Sequence, residues 1–304
     1  MNGEPDDSET TKIALAPYGL RITGRLSDVP LSDLKWFDQP TPTSGTIADL
    51  GSCDHVLFYI QRSLVLGPHG PVRARLTPLL AEPLELYRRF YLATALTSWR
   101  WFRIFTHQAA LLRWVPNTRF WPLGNSWVGD PPLDECAKSR RVSLIASGKT
   151  TLWGHRLRHE IAAWVKSTEV DVDLLGLAYR PFKHKIEGLA PYRFSVVIEN
   201  ARDRGYFTEK LIDALLCRTV PIYWGAPDIE RFFDVKGMLI CTTADELKAA
   251  IMSADAGTYA RMREAIENNH FSARAYLDQD RNAVDLMRAE LFGPPPLAES
   301  RSQR

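Results

Sequence analysis

The second half of the chain has a regular pattern of apolar and polar positions. Between Arg140 and Ala254, short apolar runs alternate with segments in which apolar residues recur every three or four positions. The runs predict strands in RRVSLIAS, VDVDLLG, PYRFSVVIEN, TVPIYW and GMLICT, and the periodic segments predict helices in HRLRHEIAAWVKS, TEKLIDALLC, IERFF and ADELKAAIMSA. Strands that alternate with helices are typical of right-handed crossovers and a mostly parallel sheet. This half is therefore predicted to be a Rossmann-like α/β domain.

The first half is less regular. Strands are predicted at residues 56–60 and 75–80 and within WFRIFTH, and a helix is predicted in LELYRRFYLATAL, directly after Pro83. The stretch PNTRFWPLGNSWVGDPPLDE is rich in Pro, Gly and Asn, which is typical of a crossing loop or an interdomain linker. We therefore divide the chain into residues 1–135 and 136–304, and we expect a helical tail at the end of the second domain.

Composition fits this two-domain division. The chain has 304 residues, of which 45% are hydrophobic, enough for two ordinary cores. Its 38 basic and 36 acidic residues nearly balance, so no bulk charge points to a nucleic-acid partner. The sequence contains no run of about 18 apolar residues, so no membrane span is predicted. Residues 1–11 are polar and acidic, unlike a secretory signal, and are expected to form a frayed tail.

The cysteines and aromatic residues give weaker indications. Four cysteines far apart fit neither a zinc site nor a small disulfide framework, so free thiols and a cytoplasmic location are expected. The basic and aromatic stretches YRRF and WRWFR leave room for weak peripheral membrane association, although solvent-facing helix surfaces explain them better. For any single one of the tryptophans between residues 99 and 127, core packing is expected.

The candidate chemistry lies in the stretch IENARDRGYFTEK. Asn200 follows a strand, and Thr208 is placed to cap the next helix, so Lys210 falls in its first turn. A cation in the first turn is unfavourable next to the positive end of the helix dipole. If an anion is bound, the ammonium and the free N–H groups would together hold it, as a phosphate or diphosphate. Glu209 could accept hydrogen bonds from ligand hydroxyls. Tyr206 could lie over a ring of the ligand, and Asn200 could offer its amide to a polar edge. The combination predicts a nucleotide-sugar site, with a simple capped helix and a solvated lysine as the alternative.

This part of the sequence resembles a known enzyme family. PYRFSVVIEN, YFTEKLIDALL and TVPIYWGAPDIERFF are similar to the donor-binding signature of glycosyltransferase family 10, the alpha-1,3-fucosyltransferases. The resemblance is close over residues 191–233, and a weaker one extends over residues 141–280, where the family's Val before Thr-Glu-Lys is Phe207. It implies a GT-B-like fold with two facing Rossmann-like domains, and GDP-fucose as the donor.

The resemblance also implies site residues. Asn200, Tyr206, Glu209 and Lys210 would contact the donor, and Arg158 in HRLRHE would reach its diphosphate. Two cations would then neutralise the leaving GDP, so no cofactor is required and a divalent cation is at most stimulatory.

The catalytic base is expected in the first domain. Glu82 follows an apolar strand and precedes Pro83, which resembles the place where this family keeps its base, and Glu85 is the substitute candidate. The implied reaction is inverting transfer of fucose to a hydroxyl of an acceptor glycan. Another nucleotide-hexose donor, or a non-catalytic protein that binds nucleotide sugars, remains an alternative, and the position of Glu82 discriminates between enzyme and binding protein.

Three other motifs are less informative. SLIASGKTT ends like a phosphate-binding loop, but Ser143 stands where its first glycine is required. The Asp171–Asp173 pair imitates a metal-binding Asp-x-Asp, although strand entry explains it better. His155 and His159 are one helical turn apart but lack a third metal ligand, so no metal site is predicted.

Overall fold

The structure, a computed structural model, describes residues 11–293. All but the last residue of the expected N-terminal tail lie outside this range. Two α/β units follow one another along the chain, each built around its own sheet. The predicted division at residues 135 and 136 falls between the last strand of the first sheet and the first strand of the second.

The first sheet has six strands, parallel except for one antiparallel edge strand. Its strands are β1 (Ile13–Ala16), β2 (Lys35–Trp36), β3 (His55–Tyr59), β4 (Arg75–Leu80), β5 (Ile104–Thr106) and β6 (Thr118–Phe120). Their order across the sheet is β2-β1-β3-β4-β5-β6, and only β2 runs antiparallel to its neighbour. The β4 strand has the predicted bounds, whereas the expected strand in WFRIFTH is confined to β5.

Three helices cover one face of this sheet. They are α1 (Arg62–Leu66), α2 (Leu84–Leu96) and α3 (Ala109–Trp114). Each connects two neighbouring strands in the same direction across the sheet, so right-handed crossovers place all three on the same side. The α2 helix has the predicted bounds and is interrupted by non-helical backbone at Tyr87.

The second sheet has five parallel strands. They are β7 (Arg140–Ile145), β8 (Asp173–Leu175), β9 (Tyr192–Ile198), β10 (Val220–Trp224) and β11 (Leu239–Ile240). Their order is β11-β10-β9-β7-β8, so the direction of winding reverses between β7 and β9. The central strands β9 and β10 are buried on both faces, which explains the continuous apolar runs in their sequences.

Helices pack on both faces of the second sheet. The helices of this half are α4 (Trp153–Thr168), α5 (Glu209–Leu216), α6 (Ala244–Ser253), α7 (Ala256–Arg261), α8 (Arg263–Ala273) and α9 (Gln279–Phe292). One face is covered by α4 and α6, and the other by α5 and α8. The predicted Rossmann-like unit is therefore present, with IERFF reduced to a single 3-10 turn at Ile229–Arg231.

The last helix crosses back to the first sheet. Although α9 belongs to the second half of the sequence, Ala283, Val284 and Met287 pack on the second face of the first sheet. Polar contacts hold it there, since Asp280 pairs with Lys35 at 2.5 Å and Glu290 bonds to arginines of the first domain. The expected helical tail is thus a return crossing that ties the two domains together.

The tryptophan expectation is right for two residues and wrong for three. Trp101 and Trp121 are buried in the first domain, but Trp99, Trp114 and Trp127 are exposed. The free thiols agree with the prediction, because Cys136, Cys217 and Cys241 are buried and Cys53 is exposed.

Candidate active site

A cavity of about 600 Å³ lies between the two domains. It opens at the carboxyl ends of β7 and β9, where the strand order of the second sheet reverses. In open α/β sheets, ligands bind at such reversal points because the loops on either side diverge and leave a crevice. The cavity is therefore the principal candidate site.

All six residues singled out from the sequence line this cavity. They are Glu82, Arg158, Asn200, Tyr206, Glu209 and Lys210. The substitute candidate Glu85 is not among the lining residues and lies exposed in the first turn of α2. The fold thus brings together five residues of the second domain and one carboxylate of the first.

A buried carboxylate fixes the start of α5. Glu199 is fully buried, and its two oxygens accept hydrogen bonds from the backbone N–H and the hydroxyl of Thr208, at 2.8 and 2.7 Å. Thr208 caps the helix as predicted, with its hydroxyl accepting from the backbone N–H of Lys210. Gly225 makes room for this arrangement, because a Cβ there would lie 2.8 Å from Cγ of Glu199. The sequence pattern alone assigned no role to Glu199.

Lys210 lies among oxygen atoms of three side chains. Its ammonium is 3.1 Å from both the Thr208 hydroxyl and Oε1 of Glu209, and 3.7 Å from Oε2 of Glu199. Burial acts to raise the pKa of Glu209, but the charges of Lys210 and Lys185 outweigh it and lower that pKa to about 2. Burial raises the pKa of Glu199 against the opposing charge of Lys210. The two carboxylates hold the ammonium at the cavity wall.

Arg158 is anchored at the end of β9. Its Nε donates to the carbonyl of Ile198 at 2.9 Å, and its Nη2 donates to Oδ1 of Asn200 at 2.7 Å. Burial lowers the pKa of Arg158, yet a guanidinium stays charged in proteins. The close approach of α4 depends on Gly154, where a Cβ would lie 1.8 Å from the carbonyl oxygen of Glu199. The result is a rigidly held cation beside Asn200.

Tyr206 is buried where the domains meet. Its ring lies 5.2 Å from that of His107, at the end of β5, and burial raises its pKa. The loop before it is tied down by Asp228, which accepts from the N–H of Gly205 at 2.7 Å. Gln108 of the first domain also donates to Asp203 of this loop at 3.0 Å. Tyr206 therefore joins the cavity to the domain contact.

Glu82 enters the cavity from the opposite side. It follows β4, and its Oε1 accepts a hydrogen bond from the Tyr18 hydroxyl at 2.8 Å. Tyr18 also lines the cavity and packs edge-on against Tyr59, with ring centroids 5.1 Å apart. Burial and the hydrogen bond to Glu82 raise the pKa of Tyr18, so the phenol stays a donor to the carboxylate.

The cavity also contains residues that sequence reasoning left without a role. Lys149 lines it from the SGKTT loop, and Lys185 lines it while pairing with Asp213 at 2.7 Å. The SGKTT sequence was the available signal for Lys149, because it places a lysine between β7 and the start of α4. Together with Arg158 and Lys210, these lysines make the second-domain wall strongly cationic.

The two histidines on α4 have separate partners. The ring of His155 accepts from the N–H of Leu152 at 3.2 Å, and burial lowers its pKa to about 4. His159 instead contacts the Tyr179 hydroxyl and the Lys149 carbonyl, both at 3.1 Å. Within residues 11–293, no group of three or more His, Cys, Asp or Glu side chains could hold a metal ion.

The Asp-x-Asp pair is explained by strand structure. Asp173 begins β8, as expected from strand entry, and its carboxylate bonds to Arg140, Arg180 and Tyr192 at 2.8 to 3.0 Å. It is absent from the cavity lining.

Comparison with known families tests these expectations. Residues 137–245 match the model described as glycosyltransferase family 10 (fucosyltransferase) C-term. This segment is therefore similar to the C-terminal domain of that fucosyltransferase family. The matched range contains the five candidate residues of the second domain, whereas Glu82 lies outside it.

Two curated proteins share short segments with this chain. A Helicobacter pylori protein named alpha-(1,3)-fucosyltransferase FucT is 44% identical over 57 residues, which is 19% of this chain and 12% of that protein. A putative fucosyltransferase-like protein of Arabidopsis thaliana is 35% identical over 68 residues, 21% of this chain and 13% of its own length. The chain thus aligns with about an eighth of each relative.

Solved structures show the fold of this chain. Anabaena HepE in complex with UDP is 13% identical, covers 79% of each chain and gives a TM-score of 0.54. A glycosyltransferase from Rickettsia africae is 11% identical, covers 79% of this chain and 77% of its own, and gives a TM-score of 0.51. At such identities the likeness concerns the fold alone, and it confirms the predicted GT-B-like architecture.

Proposed function

We propose that this chain transfers fucose from GDP-fucose to a hydroxyl of an acceptor glycan, with inversion at the anomeric carbon. The family 10 domain and the similarity to a protein named as a fucosyltransferase support the donor. The observation that carries the proposal is the single cavity in which a cationic wall of the second domain faces a carboxylate of the first.

The second domain would bind the donor. Arg158 and Lys210 are held at the carboxyl end of β9 and the start of α5, where a diphosphate would meet two cations and free helix N–H groups. Glu209 remains ionised and is suited to accept hydrogen bonds from sugar hydroxyls. As the bond to the sugar breaks, these cations stabilise the charge that develops on GDP, a task that metal ions perform in other transferases.

The first domain would supply the base. Glu82 takes the proton of the acceptor hydroxyl as its oxygen attacks the anomeric carbon, and the electron pair of the breaking carbon–oxygen bond leaves with GDP. The hydrogen bond from Tyr18 holds the carboxylate in place. A positioned general base contributes about 100- to 10,000-fold in rate. This single displacement needs no covalent enzyme intermediate.

Two alternatives make different demands on the cavity. A different nucleotide-hexose donor would use the same cations and the same base. A non-catalytic binding protein would leave Glu82 free of constraint, whereas its place in the cavity and its bond to Tyr18 favour catalysis. A cytoplasmic location remains part of this proposal on the basis of the four free cysteines. No helix within residues 11–293 is both long and apolar enough to cross a membrane.

Titration calorimetry with GDP, GDP-fucose, UDP and UDP-glucose tests the donor assignment. We expect both guanine ligands to bind and both to weaken when Arg158 is replaced by Gln. The matched control is Arg156→Gln, since Arg156 lies on the same helix but is exposed and absent from the cavity lining. Binding of the uridine ligands without the guanine ligands would overturn the fucose assignment.

A further inference from the structure

The helical face of the first domain carries an unusual charge. Residues 62–114 contain eight arginines, two glutamates and neither lysine nor aspartate, although the whole chain has a net charge of only +2. Five of these arginines lie in the helices and in the turn after α2, whereas two lie just before and at the start of β4, and Arg103 pairs with Glu290 of α9 on the other side of the sheet. This segment includes α1, α2, α3 and the turn after α2, and the three helices form one layer on the outside of the first sheet. We call the exposed side chains of this segment the basic layer.

The basic layer is also the most apolar part of the described surface. Within residues 11–293, seven of the seventeen exposed large apolar side chains belong to it. They are Leu66, Leu84, Leu86, Leu92, Leu96, Trp99 and Trp114. Such a concentration is uncommon on a surface that faces only water.

One stripe along α2 combines both properties. Arg88, Leu92 and Leu96 are spaced by four residues, so they lie above one another on one helix face, and Trp99 follows in the next turn. Leu92, Leu96 and Trp99 are 61%, 65% and 79% exposed. Tyr91 and Thr94 point to the opposite side and are buried. The helix therefore packs its other face on the sheet and leaves this stripe uncovered.

The arginines of the layer have few partners. Within the part of the chain that the structure describes, Arg62, Arg73, Arg88 and Arg89 form neither an ion pair nor a hydrogen bond. Arg113 only covers the ring of Trp114, at 4.9 Å. Exposed guanidinium groups next to exposed leucines and tryptophans are suited to a partner that is anionic and apolar at once.

We propose that the basic layer docks on the surface of an anionic lipid bilayer. Tryptophans and leucines insert at the boundary between headgroups and acyl chains, and arginines bind the lipid phosphates. A second copy using the same face would bring arginine against arginine. A nucleic acid would satisfy the arginines but leave the leucines without an apolar environment.

Docking in this way has a consequence for the cavity. The α2 helix begins two residues after Glu82, so its first turn lies next to the acceptor side of the cavity, and the stripe begins about one turn later at Arg88. If the proposed function holds, an acceptor carried on a lipid in the same membrane would reach Glu82 without leaving the surface. The docking itself does not depend on that function.

Vesicle flotation tests the proposal without donor or acceptor. The chain should float with vesicles that contain phosphatidylcholine and phosphatidylglycerol, should stay behind with phosphatidylcholine alone, and should be released by salt. Arg88→Gln with Arg89→Gln should weaken binding about 30-fold, from about fivefold per arginine near an anionic surface. Leu96→Ser with Trp99→Ser should weaken it at least about tenfold through lost apolar insertion.

Matched controls lie on α8 of the second domain. Arg263→Gln and Phe271→Ser also change an exposed arginine and an exposed aromatic residue, and they should leave vesicle binding unchanged. Thermal unfolding checks that every variant is folded. The arginine pair tests charge and the Leu96–Trp99 pair tests insertion, so if one double variant fails to fold, the other still tests the proposal.

Three outcomes would overturn the proposal. One is failure of the wild-type chain to float with anionic vesicles at low salt, and another is equal loss of binding in the α8 controls. The third is a concentration-dependent dimer in sedimentation that the α2 variants disrupt, because the layer would then be covered by a second copy.

Discussion

Replacing Gly154 by Ala should weaken donor binding even though this residue carries no side chain for the donor. The added Cβ would lie 1.8 Å from the carbonyl oxygen of Glu199, and ordinary contacts of this kind begin near 3.4 Å. The start of α4 must therefore move away from the end of β9 by about 1.6 Å, because the obstacle is backbone and not a flexible side chain.

That movement would break the anchoring of Arg158, one helical turn later. Its hydrogen bonds to Ile198 and Asn200 are 2.9 and 2.7 Å long, and an extra 1.6 Å takes both past about 3.5 Å, where such bonds are lost. A hydrogen bond to a charged group is worth about 1.5–3 kcal/mol, so GDP affinity should fall about 10- to 150-fold. The forced contact should also lower stability by about 1–3 kcal/mol.

Titration calorimetry and thermal unfolding measure the two effects. Gly257→Ala is the control, because a Cβ there meets its nearest neighbours at 3.4 and 3.5 Å and the backbone is already helical. That variant should bind GDP like the wild type and be slightly more stable, since Ala favours a helix over Gly by about 1 kcal/mol. Wild-type GDP affinity and stability in Gly154→Ala would refute the reasoning.

Three further predictions concern charge. Lys210→Ala should raise the dissociation constant of GDP about 10- to 150-fold in calorimetry through loss of a charge-assisted contact. The control Lys248→Ala, a helix lysine that is also ion-paired but absent from the cavity lining, should not raise it, and equal affinities of the Lys210→Ala variant and the wild type would remove Lys210 from the donor site. His107 is buried, and burial lowers its pKa from 6.5 to about 3. Below pH 6.5 the imidazole of the unfolded chain therefore binds a proton, whereas that of the folded chain stays neutral. The stability of the fold should be full above pH 6.5 and should fall as the pH drops towards 3. At pH 5 the loss is about 2 kcal/mol, and urea unfolding of His107→Gln should show a correspondingly smaller change between pH 7 and 5; an unchanged difference would contradict the assignment. Transfer activity should survive EDTA, because side-chain cations carry the leaving-group charge, and an absolute requirement for manganese would contradict this.

Local sequence patterns predicted the elements that are determined by local properties. The bounds of β4 and α2 are as predicted because Pro83 separates a buried apolar run from a periodic segment. Thr208 caps α5 as expected, and the apolar face of α5 is buried. The five candidate residues of the second domain share one cavity, since the ends of parallel strands and the starts of the following helices meet at one edge of a sheet.

Features that depend on distant partners were not predictable in this way. The crossing of α9 rests on pairs such as Lys35 with Asp280, which are 245 positions apart and appear in the sequence as ordinary surface charges. The β1 strand has only four residues, too few for a clear pattern. Trp99 and Trp114 look like core residues by type, and their exposure follows from which face of the helical layer meets the sheet.

The role of Glu82 is tested most directly by the variant Glu82→Gln, assayed for transfer from GDP-fucose and for GDP binding in parallel. The substitution keeps the shape of the side chain and removes its basicity, so turnover should fall at least about 100-fold while GDP affinity stays unchanged. Glu85→Gln is the matched control, because Glu85 is exposed outside the cavity, and it should retain wild-type turnover. Wild-type turnover in Glu82→Gln would contradict the account, as would a wild-type chain that binds GDP tightly and transfers fucose to no acceptor in a broad panel.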